Sequence, residues 1–376
     1  MSEKKINTNL FVGAISVDRE LSGSAYSEAG TQVQLEIIRL LNEKLDADVQ
    51  VVSLNPLSVF PNGTFFSKYQ KKGNIYFLPF LNLPILKHII YSLSLLLFLF
   101  TFAPKKIIVY NSYFFQNFSI FLYKKFYPKV KIALLVQDVL PVGNGLQSIQ
   151  RYLDRKSLNW LSYYNLVVPI SKHIISDFDI RVPSFVVQGG ITKNIIDHFP
   201  YANFGNSKFK RVVFAGALEP HNGVHLLIEQ WAKQHIQTEL HIFGKGSLKE
   251  FVSDFAGKYQ NIFFHGFAPH TEVQDFISKS MFTLILRYDL GLETKYFFPS
   301  KFWEALASDS HIVCNNFNSF PNDLKKYCIM LEADFSNLKC LDDITASNFD
   351  LILDRRAYVQ NTHMWSQHVD KIIESL

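Results

Sequence analysis

Runs of consecutive apolar residues alternate along the chain with segments in which apolar positions recur every three or four residues. The runs predict strands at 9–16, 49–55, 106–112, 131–138, 164–171 and 184–190, and then at 211–218, 239–246, 261–267, 281–287 and 311–316. The helical spacing predicts helices between them, for example at 30–45 and 222–235. Continuous apolar strands separated by helices are typical of parallel sheets covered on both faces. The pattern therefore predicts an α/β protein built from two doubly wound halves.

A polar segment with Pro and Gly, residues 198–210, separates the two series of strands and predicts a linker. A chain of 376 residues is long enough for two domains. We therefore predict a first Rossmann-like domain at 1–200 and a second at 201–355. The remaining segment, 356–376, ends in an amphipathic helix pattern that no strand follows.

One segment is apolar enough to raise the question of a membrane. Nearly every residue from Ile89 to Ala103 is apolar, but a membrane span needs about 20 such residues and this run ends at Pro104. We predict a buried helix that leads into the strand at 106–112. The alternative is a helix that lies in the membrane interface.

Composition and charge narrow the function classes. Hydrophobic residues make up 48% of the chain and charged residues 19%, which supplies two cores and argues against disorder. The net charge of +5 suits an anionic ligand or an anionic membrane surface. No zinc finger, RNP motif or basic arm is present, so a nucleic-acid partner is not expected. Three cysteines without a CxxC pair, and an N-terminus without a signal-peptide pattern, predict a cytoplasmic protein with reduced thiols.

Ligands of doubly wound sheets bind outside the carboxyl ends of the strands, and three segments of the second half fit that rule. The first, FAGALEPHNG, contains Gly216 at a strand end and Gly223 before a helix, and such glycines let backbone N–H groups approach a phosphate. They are equally typical of an ordinary turn. The second, IFGKG, places Lys245 at a strand end. The GxGxxG fingerprint is absent, which argues against a nicotinamide enzyme.

The third segment, YFFPSKFWEALASDS, places a carboxylate one turn inside a helix. Pro299 and Ser300 suit the start of that helix, but with Ser300 as the N-cap the capping-box position is Trp303, so capping does not explain Glu304. One interpretation puts Glu304 on the solvent face or in an ion pair with Lys301. The other groups the helix N–H groups, Lys301 and Glu304 around one ligand. The cationic groups would hold a diphosphate and the carboxylate would accept hydrogen bonds from ribose hydroxyls.

The order of these motifs resembles that of retaining glycosyltransferases with the GT-B fold, the family-4-like group. The resemblance covers most of the chain and is strongest over 211–320, where VVFAGALEPHNGVHLLIEQW, ELHIFGKGSLKEFV and FFPSKFWEALASDSHIVCNN follow at the family's spacing. It implies two Rossmann-like domains that face each other across a cleft. The first would bind the acceptor, the second the nucleotide sugar, and the closing helix would cross back to the first domain.

The resemblance also implies an activity. It is the metal-independent transfer of a sugar, with retention, from a nucleotide diphosphate sugar to a hydroxyl of a glycan or of a lipid- or protein-linked acceptor. UDP is the preferred nucleotide, and no cofactor or metal is expected. Asp177 and Asp179 form a DxD triplet, but one triplet among 33 acidic residues is weak evidence for a metal site.

Carried over residue by residue, the resemblance places Glu304 on the donor ribose and Gly216 beside the donor diphosphate. Other residues predicted to bind the donor are Ala217, Asn222, Lys245, Glu293, Tyr296, Pro299, Ser300 and Lys301. Ala217 and Asn222 stand where the family commonly has Arg and Lys, and Lys301 is expected to supply the missing cation. Tyr296 replaces the family's first glutamate, and Glu293 lies three residues before it.

In the first half, Asp138 follows Gln137 where a His-Asp pair is frequent, and together with Lys301 and Glu304 it is predicted to be catalytic. The residues predicted on the acceptor side are Gly23, Ser24 and Gly30. Lipid-linked acceptors are common in the family, and basic and aromatic residues are frequent in residues 85–131. That segment is therefore predicted to attach the protein to the inner face of the membrane. The alternative is that its lysines are ordinary solubilising charges and that its aromatic residues belong to the core.

Two other function classes stay open on the sequence. A catalytically silent partner subunit would explain the missing Arg and Lys, although Glu304 and Lys301 are retained. A nucleotide-sugar epimerase of similar shape would need further acid and base residues that the pattern does not place.

Overall fold

The computed structural model describes residues 9–16, 28–45, 48–142, 146–200, 208–345 and 349–376. The chain divides into two compact units. Unit 1 comprises Met1–Gln188 together with Trp365–Leu376, and unit 2 comprises Gly189–Met364. The sequence placed the corresponding changes at 200/201 and 355/356.

Unit 1 is built on a seven-stranded sheet with the order β4-β5-β2-β1-β7-β8-β9, and β3 pairs separately with β6. Its strands are β1 (Asn9–Gly13), β2 (Gln50–Ser53), β3 (Phe66–Ser67), β4 (Gln70–Lys72), β5 (Ile75–Phe77), β6 (Phe80–Leu81), β7 (Lys106–Tyr110), β8 (Lys131–Val136) and β9 (Leu166–Pro169). All neighbours in the large sheet are parallel except β4, which pairs antiparallel with β5. The order from β5 to β9 is that of a Rossmann fold.

Helices connect these strands and cover the sheet. They are α1 (Glu28–Leu45), α2 (Leu86–Phe102), α3 (Phe114–Phe126), α4 (Leu146–Ser157), α5 (Lys172–Asp177) and, from the end of the chain, α13 (Trp365–Glu374). In α13, Trp365, Val369 and Ile372 recur at helical spacing and are buried. An ion pair of 2.5 Å joins Asp370 to Lys44 of α1. The last helix therefore belongs to the core of unit 1.

Unit 2 contains a six-stranded sheet, entirely parallel, with the order β12-β11-β10-β13-β14-β15. Its strands are β10 (Phe209–Ala215), β11 (Glu239–Phe243), β12 (Ile262–Gly266), β13 (Ser280–Ile285), β14 (His311–Asn315) and β15 (Cys328–Leu331). Its helices are α6 (Lys193–His198), α7 (Val224–Lys233), α8 (Lys249–Lys258), α9 (His270–Ser278), α10 (Lys301–Ala307), α11 (Cys340–Asp343) and α12 (Phe349–Thr362). The strand order reverses between β10 and β13, which makes their carboxyl ends the ligand-binding edge expected of this fold.

Burial explains why these segments form a second doubly wound unit. In α7, Val224, Leu227, Ile228 and Trp231 are buried at the spacing of one helix face. They belong to the same core as the strand residues Val212, Phe214, Leu240 and Phe282. Fully burying one such side chain stabilises the fold by about 1.5–3 kcal/mol.

Two predicted elements differ from the structure. Residues 184–190 form no regular strand, because only Ser184 makes an isolated bridge, to Val167. The amphipathic segment that closes the chain is not one helix, since α12 ends at Thr362 and α13 begins at Trp365. Of the predicted linker at 198–210, residues 201–207 lie outside the described residues.

The apolar helix α2 is buried along only one of its faces. Tyr91, Leu95 and Leu99 are buried, whereas Leu93 and Leu97 are 58% and 69% exposed, so the prediction of a buried helix was half right. The helix ends at Phe102, and the next residue, Ala103, caps it by donating its N–H to Leu99 O. None of the helices in the described part of the chain combines the length and apolarity that crossing a membrane requires.

Candidate functional site

A pocket in unit 2 lies at the switch point of the sheet, beside the ends of β10 and β13. It is lined by residues of these strands and of helices α9 and α10, namely Ala215, Gln274, Ile277, Thr283, Leu284, Ile285, Lys301, Glu304 and Ala305. Two of the residues singled out in the sequence, Lys301 and Glu304, therefore line the same pocket.

Packing fixes the orientation of α10. Phe302, Trp303 and Leu306 are fully buried, and the Trp303 ring stacks on His363 with 3.7 Å between ring centroids. Burying this face leaves Lys301 and Glu304 on the pocket side. Ser300 is the N-cap residue, as predicted, but its side chain makes no capping hydrogen bond.

Glu304 is held by the neighbouring helix α9. Its Oε2 lies 2.5 Å from Gln274 Nε2 and 3.1 Å from His270 Nε2, and its side chain is 22% exposed. Glu304 Oε1 makes no hydrogen bond to any residue in the described ranges. Neither sequence-based structural explanation holds, because Glu304 is not on a solvent-facing surface and pairs with α9 instead of Lys301.

Electrostatics keep this carboxylate ionised. Burial by itself would raise the pKa of Glu304, but the hydrogen bond from His270, the nearby charge of Lys301 and the hydrogen bond from Gln274 lower that pKa below its ordinary value. An ionised carboxylate accepts hydrogen bonds and donates none. With one oxygen fixed by α9, the other is available to a hydroxyl-bearing ligand.

Lys301 is half-buried at the pocket wall. Within the part of the chain that the structure describes, its ammonium group forms no hydrogen bond and no ion pair. Its charge is therefore not neutralised by a protein carboxylate at contact distance, which suits an anionic ligand.

The glycine loop after β10 packs against the loop after β11. Gly216 N–H donates to Phe243 O at 3.0 Å, and Leu218 N–H donates to Lys245 O at 2.9 Å. A Cβ on Gly244, whose φ is +153°, would stand 1.9 Å from Gly216 O. Gly244, in the segment IFGKG, is thus required because the two backbones approach each other too closely for a side chain.

Lys245 is exposed beside this junction. Its Nζ lies 4.9 Å from the centroid of the Phe267 ring. The predicted role of Lys245 in donor binding stays a prediction.

Asn222 connects the glycine loop to a residue that sequence reasoning missed. Its side chain is buried, its Nδ2 donates to Ala217 O at 2.6 Å, and its Oδ1 accepts a hydrogen bond from Arg287 Nη1. Arg287 stands just beyond the carboxyl end of β13. Burial lowers the pKa of its guanidinium to about 10. The sequence feature that could have identified Arg287 is its position, as the one charged residue at the end of the apolar run MFTLILR.

The segment between β13 and α10 is fixed by a carboxylate. Asp289 Oδ1 accepts from Thr294 N at 2.7 Å, and Asp289 Oδ2 accepts from Asn318 Nδ2 at 2.9 Å. Tyr296 is buried, Glu293 is half-buried, and Tyr296 N–H donates to Glu293 O at 3.0 Å. Pro299 is also buried, at the entry to α10.

In unit 1, Asp138 follows β8 and is organised by Asn111. Asn111 Oδ1 accepts from the backbone N–H groups of Gln137 and Asp138 at 2.8 and 3.1 Å, and its Nδ2 donates to Asp138 Oδ2 at 3.2 Å. Asp138 is exposed to solvent, although desolvation by neighbouring protein atoms raises the pKa of its carboxyl group and the hydrogen bond from Asn111 opposes that rise.

The acceptor-side prediction rests on residues that are only partly described. Gly23 and Ser24 lie outside the described residues. Gly30 lies within α1, where its carbonyl accepts from Gln34 Nε2 at 3.1 Å, so it belongs to a helix and not to a loop.

No group of three or more His, Cys, Asp or Glu side chains among the described residues is arranged to hold a metal ion. Of the DxD triplet, Asp179 forms an ion pair of 2.5 Å with Arg181.

Comparisons with known proteins give a family match over part of the chain and a similar fold over nearly all of it. Residues 199–327 match the family model of glycosyl transferases group 1. A search of curated proteins gives no significant match. Sucrose-phosphate synthase from Thermosynechococcus elongatus has a similar structure, with a TM-score of 0.69 at 11% identity and 98% of each chain covered.

Two further solved structures extend this likeness. An α,α-trehalose-phosphate synthase from Burkholderia xenovorans, in complex with glucose-6-phosphate, has a TM-score of 0.67 at 9% identity, covering 98% of this chain and 99% of that chain. A trehalose-6-phosphate structure from E. coli, bound with UDP-2-fluoro glucose, has a TM-score of 0.65 at 13% identity with the same coverage. The predicted GT-B fold and the predicted resemblance to glycosyltransferases are confirmed. Residues 199–327, the region that matches glycosyl transferases group 1, lie in unit 2.

Proposed function

We propose that this protein transfers a sugar from a nucleotide diphosphate sugar to an acceptor hydroxyl, with retention of configuration and without a metal ion. The observation that carries the proposal is that Lys301 and an ionised Glu304 line one pocket at the switch point of unit 2. One group is a cation without a contacting counter-charge among the described residues. The other is a carboxylate with one oxygen fixed by α9.

In this proposal Glu304 Oε1 accepts hydrogen bonds from the donor ribose, and Lys301 contacts the donor diphosphate. The bond between the anomeric carbon and the diphosphate breaks while the acceptor oxygen bonds to that carbon from the same face. The acceptor proton passes to the departing phosphate oxygen, so no general base is required. Negative charge grows on the diphosphate as it leaves, and a cation already in place stabilises that charge most in the transition state.

UDP is the proposed nucleotide. The E. coli structure binds UDP-2-fluoro glucose, and the shared fold supports the same class of donor here. Asp138 is proposed to act on the acceptor side in unit 1. A carboxyl group of raised pKa there suits a hydrogen bond to a sugar hydroxyl.

The decisive experiment measures donor binding and turnover with a panel of UDP-, GDP- and dTDP-sugars. We expect a UDP-sugar to bind and to be slowly hydrolysed without acceptor, with activity unchanged by EDTA. Nuclear magnetic resonance of the transferred sugar should show the anomeric configuration of the donor. A chain that binds none of the donors contradicts the proposal. One that binds a donor but neither hydrolyses nor transfers it would be the silent partner subunit.

The acceptor is proposed to be lipid-linked and reached at an anionic membrane surface. Helices α2 and α3 of unit 1 expose a set of apolar side chains, here called the α2–α3 patch: Leu93, Leu97, Phe100, Phe118, Phe121, Phe126 and Tyr127. Aromatic contacts join the two helices, with 5.5 Å between the ring centroids of Phe100 and Phe126. Contiguous exposed apolar side chains are uncommon on soluble monomers and favour an interaction surface.

Charge favours a membrane as the partner of this patch. Four lysines in or beside these helices are exposed, namely Lys105, Lys125, Lys129 and Lys131. Each lysine near an anionic leaflet contributes about 1 kcal/mol. Lys87, which lies in the segment 85–131 predicted to contact the membrane, is instead buried and donates to Leu57 O at 2.9 Å. Binding to anionic vesicles tests this part of the proposal.

A further inference from the structure

Arg287 is a half-buried residue of unit 2 whose guanidinium has no acidic partner in the described part of the chain. Only its Nη1 makes hydrogen bonds, to Asn222 Oδ1 and to Leu286 O. Among the residues that the structure describes, no carboxylate lies at ion-pair distance, and Nε and Nη2 have no partner. Arg287 therefore differs from Lys208, whose side chain is buried and pairs with Asp309 at 2.7 Å.

A partly desolvated cation without a counter-ion is unfavourable for the ligand-free protein, because desolvation of a charge is normally compensated by an opposite charge. The lowered pKa of Arg287, about 10, has burial as its cause, with no acid to oppose it. The group is still protonated at neutral pH. A bound anion would supply the compensation that the chain lacks.

The position of Arg287 indicates which anion. It stands at the switch point, just beyond β13, and Asn222 links it to the glycine loop after β10. Ala217 and Asn222 are the two positions at which the resemblance to GT-B enzymes leads one to expect Arg and Lys. Arg287 follows β13, whereas Ala217 and Asn222 follow β10. Its guanidinium contacts the side chain of Asn222, so it lies beside one of the two positions that lack a cation.

The backbone of Arg287 is fixed as a ligand-binding residue requires. Its N–H donates to Asn315 Oδ1 at 2.9 Å, and its carbonyl accepts from Asn315 Nδ2 at 2.7 Å. The next residue, Tyr288, donates its N–H to His221 O at 2.8 Å. The backbone that carries the guanidinium therefore loses little conformational entropy when a ligand binds.

We propose that Arg287 binds the diphosphate of the donor in place of the cations that Ala217 and Asn222 do not provide, and that Asn222 is a positioning residue for Arg287. This inference rests on the proposed function. The two free nitrogens of a guanidinium form a planar fork that matches two phosphate oxygens.

The test compares a nucleoside diphosphate with its nucleoside. Calorimetric titration of the wild-type chain with UDP, GDP and dTDP selects the best diphosphate, which is then compared with uridine, guanosine or thymidine. Arg287→Met should weaken diphosphate binding about ten- to hundredfold, the effect of losing a charged hydrogen bond, and should change nucleoside binding less than about twofold. Arg287→Lys should recover part of the loss.

Asn222→Asp provides a second variant of the same shape. The new carboxylate would neutralise Arg287, so diphosphate affinity should fall while nucleoside affinity should not. Because the aspartate loses the hydrogen bond that Asn222 Nδ2 donates to Ala217 O, thermal unfolding checks that this variant folds. Arg211→Met is the matched control. It removes a guanidinium from the opposite end of β10, where Arg211 Nε donates to Ser280 Oγ at 2.7 Å, and should leave both affinities unchanged.

The outcomes separate the two proposals. If the wild-type chain binds none of the three diphosphates, the proposed function fails and this inference fails with it. If the wild-type chain binds a diphosphate and folded Arg287→Met binds it equally well, the proposed function stands and the assignment of Arg287 is wrong. Loss of nucleoside affinity in the same proportion would assign Arg287 a structural role and would also overturn the inference.

Discussion

The Glu304 carboxylate has one oxygen fixed by the protein and one that faces the pocket without a described partner. Gln274 and His270 hold Oε2, so the carboxylate is oriented before any ligand arrives. Orientation in advance reduces the entropy lost on binding. The lowered pKa keeps the group an acceptor at neutral pH.

We expect Glu304→Ala to weaken nucleotide binding with little loss of folding stability. Each hydrogen bond from a ribose hydroxyl to a carboxylate contributes about 1.5–3 kcal/mol, which corresponds to roughly ten- to hundredfold in affinity. Calorimetric titration with UDP measures the change, and thermal unfolding confirms the fold. The nucleotide affinity of Glu304→Gln should lie between those of the wild type and Glu304→Ala. A folded Glu304→Ala chain with wild-type affinity would rule out a ribose contact.

We expect Lys301→Met to raise the KM for the donor and to lower kcat as well. A cation that contacts the leaving diphosphate acts most strongly in the transition state, so turnover should fall together with binding. Lys233→Met, which removes an exposed lysine from α7, is the matched control and should behave as the wild type. A Lys301→Met enzyme with unchanged kinetic constants would place Lys301 outside the donor site.

How far the site could be predicted depends on where its residues lie in the chain. Lys301 and Glu304 were found because they stand together in one helix beside a recognisable motif. Gln274, His270 and Arg287 were missed, because their approach to Glu304 or to Asn222 depends on which strands are neighbours. Strand order is a property of the folded sheet, and local spacing does not encode it.

At the scale of elements, buried strands were predictable because both of their faces are apolar. The strands β10, β11, β13 and β14 all lie within or close to their predicted bounds. The prediction failed for 184–190, where the apolar run SFVVQGG makes only one bridge. An apolar run shows that a segment is buried, but a strand also needs a hydrogen-bonding neighbour along its length.

The junction of the loops after β10 and β11 can be tested with one methyl group. Gly244→Ala would place a Cβ 1.9 Å from Gly216 O and strain a backbone of positive φ. We expect the unfolding free energy to fall by more than about 1 kcal/mol, and donor affinity to fall because the glycine loop must move.

Gly257 offers the matched control, since it lies in α8 and a Cβ there would meet no atom within 4 Å. Gly257→Ala should raise stability by up to about 1 kcal/mol, as expected for alanine in a helix, and leave donor binding unchanged. Chemical denaturation measures both variants. Equal stability of the Gly244→Ala chain and the wild type would show that the two loops yield without cost.

At the scale of the whole molecule, each unit is a Rossmann-like sheet, but the units differ in what they expose. Unit 2 carries the pocket with Lys301 and Glu304. Unit 1 carries the α2–α3 patch, in which the apolar residues of α2 that the sequence assigned to a core are partly turned outward. The sequence could not distinguish a buried α2 from an α2 with one exposed face. A helix that is apolar on all sides has the same pattern whether protein or lipid covers its outer face.

The α2–α3 patch predicts binding to anionic vesicles that high salt reverses, because the lysines beside it are attracted through a screened potential. Co-sedimentation with and without anionic lipid measures this binding. Phe126→Glu should abolish it, since Phe126 is 67% exposed within the patch. Phe209→Glu, at a phenylalanine of unit 2 that is 63% exposed, is the matched control and should still sediment. Equal recovery of the wild-type chain in the supernatant under both lipid conditions at low salt would exclude a membrane-bound acceptor and assign a soluble one.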